Sequence, residues 1–172
     1  MNTHTKRMRS RAASLADVGE FGWLERLGRL LGKAGKGVIV GYGDDAACLA
    51  LPKTGADQLI LLTADILVES VHFTWLTATP ASLGAKAVAV NLSDIAAMGG
   101  RPLAMLVAIG APPGFPLARL EVVFRAMASA CRRWGVEFVG GDTVRSGSEF
   151  ILSPLLVGEF NGPTSRLPLR SR

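Results

Sequence analysis

From residue 17 onward apolar side chains recur at helical spacing, with Phe21, Leu24, Leu27, Leu30 and Leu31 forming one stripe until glycines interrupt it. Asp17 followed by Glu20 is a variant of the capping box, so the spacing predicts a first helix over 18–31. Beyond the Gly/Lys loop at 33–37, three short apolar runs at 38–40, 46–51 and 58–63 are suited to strands. Thr79 and Pro80 supply an N-cap and a first-turn proline, and Gly99 and Gly100 supply a stop, which brackets a second helix over 80–98. A buried-type strand over 103–109 ends in the Pro112-Pro113-Gly114 turn. Pro116 then opens a third helix that carries Leu117, Leu120, Phe124, Met127, Ala128, Cys131 and Trp134 on one stripe, with Gly135 after it. The segments 136–139 and 150–157 read as the last strands. Helices and strands alternate without internal repeats, which predicts an α/β (α+β) lobe.

The chain has 172 residues, 49% of them apolar and 19% charged, which is ample material for one packed core. Its longest apolar run, 103–113, is well short of the roughly 18 residues that a transmembrane helix requires, so no membrane partner is expected. The net charge of +5 comes from the ends: Lys6, Arg7, Arg9 and Arg11 precede the first acid, and Arg166, Arg170 and Arg172 follow the last. Between them 12 basic residues face 14 acidic ones, so the body carries no basic stripe and no nucleic-acid partner is expected. The organisation expected is a disordered basic tail over 1–16, a lobe over 17–160, and a linker over 161–172 toward a carboxy-terminal lobe that this sequence lacks. Cys48 and Cys131 are far apart, with no CxxC, and read as small core residues in a reduced compartment, which fits a cytoplasmic location.

The acids are grouped rather than scattered. Gly43-Asp44-Asp45, Thr63-Ala64-Asp65, Asn91-Leu92-Ser93-Asp94 and Gly140-Gly141-Asp142-Thr143 each stand at the edge of an apolar element, accompanied by short polar or glycine neighbours. That is the composition of a Mg²⁺ and phosphate site, since Mg²⁺ takes hard oxygen ligands and borrows several from water and phosphate. In a helix over 80–98, Asp94 falls on the stripe Leu83, Ala87, Val90, Asp94, Ala97, which puts a carboxylate on the core side and calls for a cation or a strong donor; the alternative is an exposed helix end where Asp94 meets a backbone N–H. Several carboxylates in one cleft repel one another, and divalent ions would invert that repulsion. His72, in Val71-His72-Phe73, follows the Asp65 loop and is placed to meet a substrate or to serve a structural role. The sequence lacks GxxxxGK[ST], GxGxxG and the G-x-S-x-G elbow, so a P-loop, a Rossmann site and a hydrolytic triad have no support.

Taken in order, the blocks GYGDDAACL, LTADILVESVHF, KAVAVNLSDIAAMGGRP and EFVGGDTVRS resemble the amino-terminal half of the thiamine-monophosphate kinase family, of the superfamily that includes aminoimidazole ribonucleotide synthetase and selenophosphate synthetase. The resemblance implies a mixed sheet with helices on one side that pairs with a second copy across a two-fold axis, and ATP-dependent phosphorylation of thiamine monophosphate to thiamine diphosphate without a covalent phosphoenzyme. It further implies that Asp45, Thr63, Asp65, Asp94 and Asp142 hold Mg²⁺, that Gly141, Asp142 and Arg170 meet ATP, and that His72 contacts the substrate. The family usually has a hydroxyl residue where this chain has Ala64, so any metal contact there falls to a backbone carbonyl or is lost. Two other readings remain open at this point: a nucleotide-binding or dimerisation module without chemistry, and another ATP-dependent synthetase of the superfamily.

Overall fold

The computed structural model describes residues 13–33, 35, 38–40, 48–49, 58–161 and 166. In chain order the elements are α1 (Leu15–Leu31), β1 (Val38–Val40), β2 (Cys48–Leu49), β3 (Gln58–Ala64), β4 (Leu67–Val68), α2 (Pro80–Ala97), β5 (Arg101–Ala111), α3 (Leu117–Arg133), β6 (Glu137–Arg145) and β7 (Ile151–Asn161). β1 and β2 form an antiparallel pair, while the main sheet runs β3-β7-β5-β6 with β4 beside β7. Within it β5 and β6 are parallel, because α3 carries the chain back between them, and the other pairings are antiparallel.

The first helix starts three residues earlier than expected, at Leu15 rather than residue 18. Ser14 is the N-cap, and its backbone N–H and hydroxyl both donate to the Asp17 carboxylate at 2.8 Å. Residues 13–16, assigned from sequence to the tail, are tied down: Leu15 N–H donates to the Phe115 carbonyl at 3.3 Å and Leu117 N–H to the Ala13 carbonyl at 3.2 Å. Gly19, at φ 65°, puts a kink in the helix. α2 begins at Pro80 as expected, with Ser82 N–H donating to the Thr79 hydroxyl at 3.1 Å.

α2 and α3 pack on each other and cover one face of the sheet. Gly84 makes their close approach possible, since a Cβ there would lie 2.2 Å from the Val123 carbonyl oxygen. The core between helices and sheet contains Trp23, Phe124, Met105, Leu152 and Leu156, all essentially inaccessible. The α3 stripe is buried as expected from Leu117 to Cys131, but Trp134 is 61% exposed because the helix ends at Arg133 and the chain turns at Gly135. On the other face Ile60, Leu62, Ile66, Val144 and Leu155 are exposed, so the sheet has one covered and one bare apolar side.

Two irregularities in the sheet position the candidate site. Pro154 lies between the stretch of β7 paired with β3, which ends at Leu155, and the stretch paired with β4, which begins at Leu152. Its missing N–H therefore costs no ladder bond on that side. In β6 the register jumps from Met105↔Phe138 to Leu106↔Gly140, leaving Val139 as an extra residue. This bulge reverses the parity of everything after it.

Cys131 is buried in the core, with its sulfur 3.8 Å from that of Met105, in agreement with the sequence reading. Cys48 lies in β2, where its side chain is outside the described residues. Burial pushes the Cys131 thiol up from 9.0 to about 12, against a smaller lowering by Arg132. The folded chain should therefore leave Cys131 unmodified by a thiol-specific chromogenic reagent at pH 8, and denaturant should release it. Because the unfolded thiol ionises near 9 and the folded one only near 12, the unfolded state holds fewer protons in that window. Stability owed to this group is complete below about pH 9 and falls as pH rises toward 12, by on the order of 1 kcal/mol per pH unit, as urea titrations at pH 8 and 10 would read.

Candidate functional site

Thr63 and Asp94 meet. Thr63 stands opposite the fully buried Leu156, hence on the helix-covered face, and its hydroxyl donates to Asp94 Oδ2 at 2.7 Å. Asp94 itself is exposed: the buried positions of α2 are Leu83, Gly84, Ala87, Val88, Asn91 and Ile95. The stripe expected from sequence is therefore displaced, and the partner of this carboxylate is a hydroxyl 31 residues away rather than a backbone N–H.

Asp65 follows directly on β3. Its N–H donates to the Pro154 carbonyl at 3.2 Å, and its own carbonyl accepts from the Ser153 hydroxyl at 3.2 Å, which fixes the backbone beneath a half-exposed side chain. Asp142 lies inside β6 rather than in the loop expected beyond residue 139. The bulge sets it level with Ala108, which is exposed between the buried Val107 and Ile109, so Asp142 stands on the bare side of the sheet. Its Oδ1 accepts from Thr143 N–H at 2.8 Å. Gly141, at φ 156°, passes so close to β5 that a Cβ would sit 1.7 Å from the Val107 carbonyl oxygen.

Ala108 also pairs with Ser153, whose hydroxyl reaches Asp65. Asp65 and Asp142 thus stand at the same level of the sheet, three strands apart, or roughly 14 Å. Among the described residues no three His, Cys, Asp or Glu side chains converge on one metal position. Asp45 and Arg170 lie outside the described residues. The donors that are described are carboxylates reachable from solvent and a hydroxyl already aligned with one of them, which fits a hard cation that keeps its waters and shares phosphate oxygens.

His72 sits on a tight turn between β4 and the Trp75 region. Its N–H donates to the Val68 carbonyl at 2.8 Å, while Val68 N–H donates to its Nδ1 at 3.1 Å. Lys86, on α2, donates to the His72 carbonyl at 3.2 Å. Sequence reasoning missed Val68, Lys86 and Ser153. No local signal marks them, since each acts through a contact with another part of the chain.

Known proteins are similar to this chain in sequence and in fold. Residues 43–160 match the family described as AIR synthase related protein, N-terminal domain. The thiamine-monophosphate kinase of Bacillus subtilis is 36% identical over 123 residues, which cover 72% of this chain and 37% of that protein. The solved thiamine-monophosphate kinase of Stenotrophomonas maltophilia is 32% identical with a TM-score of 0.65, covering 84% of this chain and 43% of its own. AaThiL from Aquifex aeolicus, complexed with AMPPCP and TMP, is 32% identical with a TM-score of 0.59, covering 88% of this chain and 45% of its own. The chain thus spans less than half the length of these relatives. With the family model covering most of the described sheet and helices, the chain belongs to the AIR synthase related proteins, of which it carries the N-terminal domain.

Proposed function

We propose that this chain is the nucleotide- and metal-binding portion of a thiamine-monophosphate kinase, in which the γ-phosphoryl group of ATP passes directly to thiamine monophosphate, giving ADP and thiamine diphosphate. The observation that carries this reading is the likeness, over 88% of the chain, to AaThiL complexed with AMPPCP and TMP. Phosphoryl transfer needs positioning and charge neutralisation more than a nucleophilic side chain, and solvent-reachable acids on α2, after β3 and on β6 supply the chemistry for it.

In this reading Asp94 holds Mg²⁺, with its carboxylate oriented by the Thr63 hydroxyl, and Asp45, Asp65 and Asp142 offer oxygen donors to further ions. Bound Mg²⁺ would neutralise the phosphate oxygens between which the group moves. Gly141, Asp142 and Arg170 contact ATP. His72 contacts the substrate. ATP and thiamine monophosphate are the ligands, and the protein works in the cytoplasm.

The expected result is Mg²⁺-dependent ATP binding by calorimetry, weakened about tenfold or more by Asp142→Asn and by Asp94→Asn while circular dichroism stays unchanged. ATP binding indifferent to Mg²⁺ and to both substitutions would overturn the proposal. Thiamine diphosphate formed from Mg²⁺, ATP and thiamine monophosphate, detected by mass spectrometry and absent with Asp142→Asn, would establish it outright.

The reading also assigns a second copy of this chain to the bare sheet face. Leu62, 70% exposed, and Val144, 55% exposed, stand with Ile60, Ile66 and Leu155 on the bare face beside Asp142, and water alone would otherwise cover these apolar side chains. Sedimentation should give a dimer for the parent chain and a monomer for Leu62→Glu. A parent chain monomeric at high micromolar concentration would remove this part of the proposal.

A further inference from the structure

The turn that carries His72 is wired more tightly than an exposed loop requires. Val68 and His72 exchange two hydrogen bonds, and Ser70 between them adopts the left-handed conformation at φ 68°, with its N–H donating to the Phe73 carbonyl at 2.8 Å. Glu69 clamps the turn to the start of β7: its N–H donates to the Phe150 carbonyl at 2.9 Å, and Phe150 N–H donates back to Glu69 Oε2 at 2.9 Å. A left-handed non-glycine residue costs of order 1 kcal/mol or more, so the surrounding bonds hold this conformation in place. The imidazole ring at its end is exposed.

A backbone N–H can only donate, so the ring atom facing Val68 must be a bare acceptor nitrogen. Turning the ring over would bring a carbon to that position and forfeit the bond. With Nδ1 so occupied, the single proton of the neutral ring belongs on Nε2, the polar atom left free toward solvent. The Lys86 ammonium, bonded to the backbone carbonyl of the same residue, brings positive charge to this turn. We propose that the Val68 amide locks His72 into its Nε2–H tautomer, making the ring a hydrogen-bond donor that, with Lys86 nearby, receives an anionic oxygen of the substrate, of the phosphate class. His72 then discriminates by donating, and Val68 is the residue that positions its proton.

The substrate half of this inference rests on the kinase reading, whereas the tautomer does not. The chain has two histidines, His4 and His72, so a long-range ¹H–¹⁵N spectrum of the intact protein, assigned by the signal lost in His72→Gln, reads the ring directly. Expected is a protonated Nε2 and a bare Nδ1 for His72. A proton on Nδ1, or equal averaged nitrogens, would overturn the inference. Two substitutions then test the donor. Glutamine places its amide nitrogen where Nε2 stands, and asparagine places its own where Nδ1 stands. Binding of thiamine monophosphate should stay within about threefold of the parent in His72→Gln and weaken about tenfold or more in His72→Asn. The opposite order would refute donation from Nε2. A parent chain that shows the expected tautomer but does not bind thiamine monophosphate would instead count against the kinase reading and against a substrate role for the ring.

Discussion

Gly141→Ala should lose about 3 kcal/mol of stability or more. The new Cβ would lie 1.7 Å from the Val107 carbonyl oxygen, 2.6 Å from its carbon and 2.9 Å from its nitrogen. All three are backbone atoms of the central strand β5, so no rotamer change relieves the clash. The backbone at φ 156° is in addition one that side-chain-bearing residues rarely adopt. To accommodate alanine, β6 must withdraw from β5 where Asp142 is presented, and site and stability should fail together. Urea denaturation monitored by circular dichroism is the measurement. Gly147, with no atom within 4 Å of the position its Cβ would take, is the control and should tolerate alanine within about 0.5 kcal/mol. An alanine at 141 as stable as the parent would mean that β5 and β6 do not pair in this register.

Phe124→Ala should cost about 3–5 kcal/mol, a large part of the stability of an ordinary domain. Phe124 is 2% exposed on α3 and meets Trp23 of α1 edge-on, with ring centroids 5.0 Å apart at 71°, and Phe138 of β6 at 5.9 Å and 68°. It thus joins the helical layer to the sheet. Truncation removes the transfer free energy of the ring and both edge contacts, and leaves a cavity that three separate elements would have to close. Phe124→Leu keeps most of the volume and should cost less than half as much. Thermal unfolding of the three proteins checks the order; a loss below about 1 kcal/mol for alanine would show that α1 is not anchored through this ring.

The bulge in β6 that shapes the site could be read from sequence only in part. The Gly140-Gly141 pair is visible as a break, and reading it as the end of a strand at 139 follows from local rules. In the fold the break is a bulge: β6 continues to Arg145 with Asp142 inside it, since β5 is long enough to pair with all of it. The Asp94 stripe shows the same limit. A period of 3.6 residues places Asp94 near the core side, but α2 buries the face that meets α3, centred on Gly84, Val88 and Asn91, and Asp94 is turned out toward Thr63. Which face of a helix is buried depends on its neighbour, which the helix's own residues do not contain.

Features that depend on residues a few positions apart were legible in the chain itself. The start of α2 at its Thr79 cap and Pro80, the buried stripe of α3 down to Cys131, the strands near 58–63, 103–109 and 150–157, and the order of four acid-bearing blocks all belong to this class, because capping, periodicity and turn chemistry are local interactions. Other features arise only when distant segments meet: the hydroxyl that Asp94 contacts, the side of the sheet on which Asp142 stands, the face left bare, and the nitrogen of His72 that Val68 occupies. The first three depend on strand register and helix packing between segments tens of residues apart, where a shift of one residue reverses every side chain. The last depends on a left-handed turn at Ser70 that β4, β7 and α2 hold in place, against the preference of serine itself.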